Sequence, residues 1–363
     1  MKFIKIQPFD TLFFRDGKPF TMGVETWSDV IFPPSPSVLY GALRSVYFSE
    51  NPEQLQKGDS IENENYNTSD ISTHLKVKLI SLYNEEKKIS LFPLPLDMVK
   101  REDNNKFIKL ILKKKEESII SNYPLNYYLT TGVNIDVKTV SMYYITSDTL
   151  QQYLWGDKEE FSAIELSEIL VKEPKIGIGR SRKNYNIEEG KLYRVDLIRL
   201  LNTSIIIGFD DLEIRKEGFI RLGGEAKGSY YKEINNIIED EKPKNFKIKN
   251  NKFKLYFITP AIFDNGYFPS WIHKEDNFRG EYNGIKVRLI AVSVGKYLNI
   301  GGFDMKIKWP KKMFRAIPSG SIFYFEIEDS SIKEDNIIKS FHNQAISDKK
   351  SQEGYGLVKV GNI

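Results

Sequence analysis

Hydrophobic and polar positions divide the chain into strand-like and helix-like segments. The run Phe3, Ile4 and Ile6 predicts a short N-terminal strand, because β-branched and aromatic residues suit a half-buried, pleated surface. After a loop, Ser35 and Pro36 supply an N-cap and a first helical position. The apolar residues that follow recur at helical spacing and predict a helix: Val38, Leu39, Ala42, Leu43 and Val46.

The middle of the chain has a mixed pattern. Residues 50 to 73 are polar and predict a solvated, mobile insertion. The segments KVKLISLYN, FIKLILKKK and VKTVSMYYIT predict strands, whereas FSAIELSEIL predicts a short helix. In KLYRVDLIRL, Tyr193, Val195 and Leu197 alternate with polar residues. Together with the glycine-bearing segment KIGIGRSRKNYNIEEG that precedes it, this alternation predicts a hairpin arm.

The second half repeats the order of elements of the first. We expect strands at 253 to 258, 286 to 294 and 321 to 327, a helix-competent stretch after the first of these, a short C-terminal helix and a last strand in GLVKV. The charged connector EDEKPKNFKIKNN, which contains Pro243, marks a domain boundary. The fold class is therefore predicted as α+β, with one ferredoxin-like βαββαβ module in 1–245, including insertions and the arm, and another in 246–363.

Composition narrows the possible chemistry. The 363 residues include no cysteine and three histidines, so thiolate metal sites are excluded and imidazole chemistry has few candidates. The sequence has no apolar run of about 20 residues and no signal-peptide core, which predicts a cytoplasmic protein without membrane contact. No Asp-x-Asp, H-E-x-x-H or nucleotide-loop motif is present, so no metal and no cofactor are expected. A net charge of +4 is compatible with nucleic acid and also with ordinary solubility.

The segment that leads into the arm carries cations between glycines. It contains Gly177, Gly179, Arg180, Arg182 and Lys183. Glycine lets a backbone approach a ligand closely, and the cations suit phosphates. Arg182 stands where a dinucleotide fingerprint needs its third glycine, which disfavours NAD. An ordinary solvated hairpin remains the alternative.

Two further segments combine glycine or cations with aromatic residues. In MKIKWPKKMFR, Lys311 and Lys312 lie near Trp309 and Phe314, as in proteins that neutralise phosphates and stack unpaired bases. The alternative is a strand edge protected by lysines. Near the C-terminus, the amides of Gly354 and Gly356 could contact a phosphate backbone, or the glycines could simply form a turn. The segment RLGGEAKG has the same two interpretations, and there a turn is favoured more strongly.

Five blocks, taken in order, resemble one family. They are PFDTLFFRDGKPF, FPPSPSVLYGALRS, GIGRSRKNYNIEEGKLYRVDLIRL, RLGGEAKG and IGGFDMKIKWPKKMFRAIPSGSIFYFE. The chain resembles the third subunit of the type III-B CRISPR Cmr effector complex, a member of the RAMP superfamily of ferredoxin-like proteins with glycine-rich loops. Residues 50 to 120 do not share the resemblance and receive no role from it.

The resemblance implies a function in antiviral defence. Family members bind the 5′ repeat-derived handle of the guide RNA, contact the large polymerase-like subunit and a backbone subunit, and are not enzymes. The matching positions imply RNA contacts by Ser37, Gly41 and Arg44 on the first helix, by Gly177 to Lys183 on the arm, and by Gly354 and Gly356. Alternatives are the corresponding subunit of the Csm complex, a RAMP endoribonuclease that cuts repeat RNA, and a phosphate-handling enzyme. The last two would need an acid-base set or a nucleotide loop, and none of the three histidines is well placed for catalysis. His74 borders the polar insertion, His273 lies in the loop-like WIHKEDN, and His342 has no adjoining acid-base partner.

Overall fold

The computed structural model describes residues 1–14, 27–28, 30–55, 74–116, 121–180, 187–235, 243, 245–304 and 309–363. Its α-helices are α1 (Pro36–Glu50), α2 (Pro52–Leu55), α3 (Ser147–Trp155) and α4 (Glu334–Phe341). No described helix combines the length and apolar character needed to cross a bilayer.

The remaining regular structure is extended. The first strands in chain order are β1 (Lys2–Pro8), β2 (Trp27–Ser28), β3 (Lys76–Asn84), β4 (Ile89–Pro93), β5 (Met98–Arg101), β6 (Phe107–Lys109), β7 (Ile111–Lys114), β8 (Tyr127–Thr130), β9 (Val137–Lys138), β10 (Tyr143–Thr146), β11 (Glu160–Phe161), β12 (Ile164–Glu165), β13 (Leu170–Arg180) and β14 (Ile187–Leu200). The later strands are β15 (Thr203–Asp210), β16 (Glu217–Arg221), β17 (Gly228–Ile234), β18 (Lys252–Phe257), β19 (Ile272–His273), β20 (Arg279–Tyr282), β21 (Ile285–Ser293), β22 (Leu298–Ile300), β23 (Phe303–Asp304), β24 (Trp309–Pro310), β25 (Phe314–Ala316), β26 (Ile322–Ile327), β27 (Gln344–Ala345) and β28 (Leu357–Gly361). The α+β class predicted from the sequence is confirmed.

The chain divides into two compact units, each built from three separate segments. Unit 1 contains 1–77, 167–235 and 299–315, and unit 2 contains 78–166, 236–298 and 316–363. The predicted boundary near residue 245 stays a prediction, and most of the connector that suggested it lies outside the described residues, as does most of the insertion at 50–73.

Unit 1 contains antiparallel strands in the order β15-β1-β17-β16 and a separate sheet in the order β13-β14-β2. On β1, Ile4 pairs with Ile207 of β15, and Lys5 pairs with Lys232 of β17. Ile4, Ile207 and Leu43 of α1 are almost fully buried. Lys5 of β1 is half-buried, whereas β15 is buried along almost its whole length.

Unit 2 contains a seven-stranded sheet in the order β19-β20-β21-β26-β18-β28-β27. Its core is strongly aromatic, and Phe253 of β18 stacks on Phe325 of β26 at 5.5 Å between ring centroids. The central strands β21, β26, β18 and β28 pair antiparallel, and α4 connects β26 to β27 and β28. The predicted strands at 253–258, 286–294 and 321–327 and the predicted C-terminal helix are thus confirmed.

Three local predictions differ from the structure. FSAIELSEIL is not an α-helix: Phe161 pairs with Phe107 and Ile164 with Tyr144, so its apolar residues serve short strands and a 3₁₀ turn. The stretch after β18 forms no α-helix either, because its aromatic residues, including Trp271, pack directly on the core. Conversely, α3 was not predicted, although Thr146 caps it by accepting a hydrogen bond from the Thr149 amide.

Candidate nucleic-acid interface

Helix α1 separates a core face from a face that carries the predicted contact residues. Leu39 and Leu43 are fully buried, whereas Gly41 is exposed and Arg44 is half-buried. Ser37, Gly41 and Arg44 follow one another at spacings of four and three residues, so they share one side of the helix. Ser35 stands at the N-cap with extended dihedral angles, yet its side chain forms no capping hydrogen bond, which corrects that detail of the prediction.

Arg44 is held beside aromatic rings. Its guanidinium carbon lies 5.4 Å from the ring centroid of Phe48 and 5.9 Å from that of Tyr40. Such contacts orient a planar cation without neutralising its charge. The Arg44 guanidinium is therefore positioned on the α1 face that carries Gly41.

The predicted arm is a long antiparallel hairpin. Strand β13 pairs with β14 from Leu170 opposite Leu200 to Arg180 opposite Ile187, with a register shift after Ile178. Gly177 lies opposite Tyr193. Gly179 and Arg180 lie at the end of β13, while Arg182 and Lys183 lie outside the described residues. The predicted hairpin is confirmed, and the RNA contacts of these five residues stay a prediction.

The base of the arm is buried, and its outer part is exposed. Val195 and Leu197 are buried as the alternation predicts, but Asp196 between them is also buried, at 7% exposure, and accepts a hydrogen bond from Arg194 at 3.2 Å. Farther out, Ile176 is 68% exposed. The hairpin is therefore buried against the core of unit 1 at Val195 and Leu197 and is exposed at Ile176.

An ion network ties the arm to the segment after β1. Arg199 of β14 donates to Asp10 at 2.8 Å and also pairs with Glu173 of β13. These partners raise the pKa of Arg199, hydrogen bonding to Glu173 first, and the Thr11 amide and Arg199 lower the pKa of Asp10. All three groups are charged at neutral pH. Sequence reasoning missed the network because Asp10 and Arg199 are far apart in the chain.

The segment RLGGEAKG forms a tight loop beside the arm. Gly223 has a positive φ of 77°, and a Cβ there would lie 2.3 Å from the Phe13 carbonyl oxygen, so only glycine fits. The Gly224 amide donates to the same oxygen at 2.7 Å. Glu225 pairs with Lys175 of β13 at 3.2 Å. The turn interpretation is confirmed, and the loop supports the arm.

Lys311 and Lys312 lie on a second, smaller hairpin of unit 1. Strand β23 pairs with β24, and both lysines follow β24 and are exposed. Trp309 is 69% exposed, and the Lys312 ammonium lies 5.4 Å from the Phe314 ring centroid. In a strand edge protected by lysines, the aromatic rings would pack inward, but the Trp309 ring is exposed. An accessible ring therefore lies close in the chain to the cations of Lys311 and Lys312.

Gly354 and Gly356 belong to unit 2 and are buried in a turn before β28. Their φ angles are 95° and 72°. The Gly356 amide donates to the Pro260 carbonyl at 2.7 Å, and the Gly354 amide to that of Ser351 at 3.0 Å. Both amides therefore already have partners within the chain, which is what the turn interpretation predicts.

The histidines do not form an acid-base group. His74 and His273 are exposed, whereas His342 is buried and its pKa is lowered to about 3, first by burial and then by Lys359. Within the described ranges, no cluster of three or more histidine, aspartate or glutamate side chains is arranged to hold a metal ion.

Comparison with known proteins decides the family. A family model described as CRISPR-associated protein (Cas_Cmr3) matches residues 4–363. The chain belongs to the Cas_Cmr3 family. The resemblance inferred from the five sequence blocks is thereby confirmed. No curated protein matches the chain.

A chain in one solved structure has the same fold as this Cas_Cmr3 family member. A chain in the cryo-EM structure of the Type III-B Cmr-beta bound to cognate target RNA is 17% identical, with a TM-score of 0.53, over 98% of this chain and 96% of that one. A chain in a second structure, of Type III-B Cmr-beta bound to cognate target RNA and AMPPnP in state 1, is also 17% identical, with a TM-score of 0.45, over 93% and 91%. At this identity the first likeness concerns the fold.

Proposed function

We propose that the chain is a non-catalytic RNA-binding subunit of a type III-B Cmr ribonucleoprotein that holds the 5′ handle of the guide RNA. The large polymerase-like subunit and a backbone subunit are its protein partners in this proposal. Family membership supports the assignment to CRISPR defence. The structurally similar chain comes from a Cmr assembly bound to RNA.

The arm carries the proposal. Between residues 172 and 199 the chain has eight basic residues against four acidic ones. The paired strands β13 and β14 lead Gly177, Gly179 and Arg180 away from the buried base, where the Arg199 network anchors them. A basic, glycine-bearing hairpin can follow a phosphate backbone closely, and its cations would position RNA without reading its sequence.

The domain architecture proposed here is that of RAMP proteins. In the seven-stranded sheet of unit 2, the four central strands in chain order are β18, β21, β26 and β28. They lie side by side in the order second, third, first, fourth. An antiparallel sheet of this order with a crossover helix is the ferredoxin-like βαββαβ arrangement, here with α4 as the second helix and no α-helix in the first crossover. The buried, neutral His342 supports a holding rather than a cutting role.

The arm is tested by replacing Arg180, Arg182 and Lys183 with alanine. Guide RNA is titrated into the reconstituted complex at several salt concentrations. Each lost phosphate contact on a single strand reduces the slope of log affinity against log salt by roughly 0.7, so the triple variant should lose about two units of slope. Unrelated handles should weaken equally, because the contacts are to phosphates.

The matched control removes the same charge from exposed lysines of unit 2, by Lys87→Ala, Lys247→Ala and Lys274→Ala together. Its salt slope should equal that of the unsubstituted protein. A normal slope in the arm variant would show that the arm does not hold RNA. Incubating the pure protein with labelled repeat RNA tests the absence of catalysis, since cut products would contradict it.

A further inference from the structure

Three aromatic rings form a row on an open face of unit 1. Phe9, just after β1, is 62% exposed, and Phe219 on β16 is 78% exposed. Their ring centroids are 5.7 Å apart. Tyr230 of β17 lies directly opposite Phe219 in the strand register and is half-buried. We call these three residues the aromatic platform. Contiguous exposed apolar surface of this kind marks a binding site more often than isolated side chains do.

Backbone and side-chain contacts position the platform. The Phe9 amide donates to the Gly228 carbonyl at 3.3 Å, and a Cβ at Gly228 would lie 3.3 Å from the Phe9 ring, so the missing side chain leaves room for that ring. The Tyr230 hydroxyl donates to Glu217 at 2.7 Å. Ring positions fixed before binding reduce the entropy lost on binding.

We propose that the aromatic platform stacks on unpaired bases of single-stranded RNA, as a second contact distinct from the phosphate contacts of the arm. A sheet whose open face presents aromatic rings on neighbouring strands stacks two or three bases in RRM domains. The phenylalanine rings carry no hydrogen-bonding group, so they would accept any base. The sheet alternation places Lys5, Arg221 and Lys232 on the platform's face together with Glu217, which pairs with Lys232 at 3.7 Å. Arg221 is exposed and suits a phosphate backbone.

The platform is continuous with the base of the arm. Asp10 directly follows Phe9 and accepts the hydrogen bond from Arg199 at 2.8 Å. The platform therefore adjoins the ion network at the base of the arm, and we expect one RNA strand to contact both. The inference rests on the proposed function in this respect, because both contacts concern the same RNA.

Two double variants test the platform in the full-length chain, with fluorescent guide RNA as the probe. Phe9→Ala with Phe219→Ala should weaken binding about tenfold or more, because alanine removes base stacking. Phe9→Leu with Phe219→Leu keeps apolar surface but no ring and should weaken binding as well. Neither should change the salt slope, because no charge is removed. Ile111→Ala with Val133→Ala removes exposed apolar side chains from unit 2 and should leave affinity unchanged.

Guide RNAs that each lack one base give the decisive comparison. Where the missing base is one that stacks, the unsubstituted chain and the alanine variant should bind equally. Unchanged affinity in both double variants, or the same loss with every abasic RNA, would overturn the proposal. So would normal RNA affinity combined with loss of a co-assembling subunit, because the face would then bind protein.

The outcomes separate the platform from the arm. If the arm variant keeps its salt slope while the platform variants lose a base-dependent contact, the arm assignment fails and the platform stands. The reverse result removes the platform alone. If the reconstituted complex that contains the unsubstituted chain binds no guide RNA, both fail.

Discussion

Replacing the buried Lys254 with methionine is expected to stabilise the protein. Lys254 on β18 is 1% exposed, and its Nζ has no hydrogen-bond partner in the described part of the chain. It lies 3.5 Å from the ring centroid of Tyr153. Burial lowers the pKa of Lys254 from 10.5 to about 7, although the nearby Asp97 opposes the shift. Methionine keeps a similar unbranched side chain and removes the amine.

The sign and size of the effect follow from this pKa. Because the folded pKa of Lys254 is the lower one, the unfolded chain binds the proton more tightly, and the charged amine destabilises the fold at low pH. A decrease from 10.5 to about 7 corresponds to about 5 kcal/mol at about 1.4 kcal/mol per unit. The contact of the cation with Tyr153 offsets about 2 kcal/mol. The net gain at pH 6 is therefore about 3 kcal/mol.

Asp97 keeps partners in the variant, which limits the opposing effect. It accepts hydrogen bonds from the hydroxyls of Tyr153 at 2.7 Å and Tyr324 at 2.5 Å. As pH rises from 7 to 10.5, the folded protein no longer holds the Lys254 proton whereas the unfolded chain still does, so the stability of the unsubstituted protein increases. The advantage of methionine should shrink over that interval.

Denaturant unfolding at pH 6 and pH 10 measures the two free energies of unfolding. Lys252→Met is the matched control on the same strand, because its ammonium pairs with Glu326 at 3.2 Å. That control should show no gain at either pH. An equal effect of Lys254→Met at both pH values, or no gain at pH 6, would refute a desolvated amine at this position.

Two further predictions concern single positions. Gly356→Ala should destabilise the protein by more than about 1 kcal/mol, because φ is +72° and the new Cβ would lie 2.6 Å from the Ser347 amide nitrogen. Gly41→Ala, at an exposed position of α1, should stabilise it by about 0.5–1 kcal/mol. Thermal unfolding measures both changes, and equal effects would contradict the geometry. Burial lowers the pKa of His342 from 6.5 to about 3, so below pH 6.5 the free energy of unfolding should fall by up to about 1.4 kcal/mol per pH unit relative to the His342→Gln variant. Parallel curves of unfolding free energy against pH for the two proteins would contradict burial of His342 in the neutral form.

Local patterns in the sequence predicted the elements that local forces determine. Helix α1 and strand β1 follow from apolar periodicity. Strands β18 and β26 follow from their apolar-rich runs, since both faces of these two strands are buried. The helix prediction for FSAIELSEIL was wrong because the apolar spacing of this segment fits a helix, whereas in the fold it pairs with strands β6 and β10. A tertiary pairing of this kind leaves no mark on local periodicity.

The candidate site was predictable to the same degree. The arm follows from alternation and glycine, but the burial of Asp196 depends on its neighbours in the fold. The Phe9 and Phe219 rings meet only because β1 and β16 both flank β17, so no spacing in the sequence could predict the platform. The same applies to Asp97, whose partner Tyr324 is 227 residues away.

The way the chain is distributed between the two units has a consequence for its synthesis. Unit 1 needs residues 299–315, and unit 2 needs residues 316–363 as well as 78–166. Strand β28, at Leu357–Gly361, lies between β18 and β27, so the seven-stranded sheet is incomplete until these residues have left the ribosome. A stop codon before residue 299 would leave both units incomplete, and one between residues 316 and 356 would leave unit 2 without β28. Early strands must therefore wait for partners made much later, and a nascent chain exposes unpaired edges over that interval.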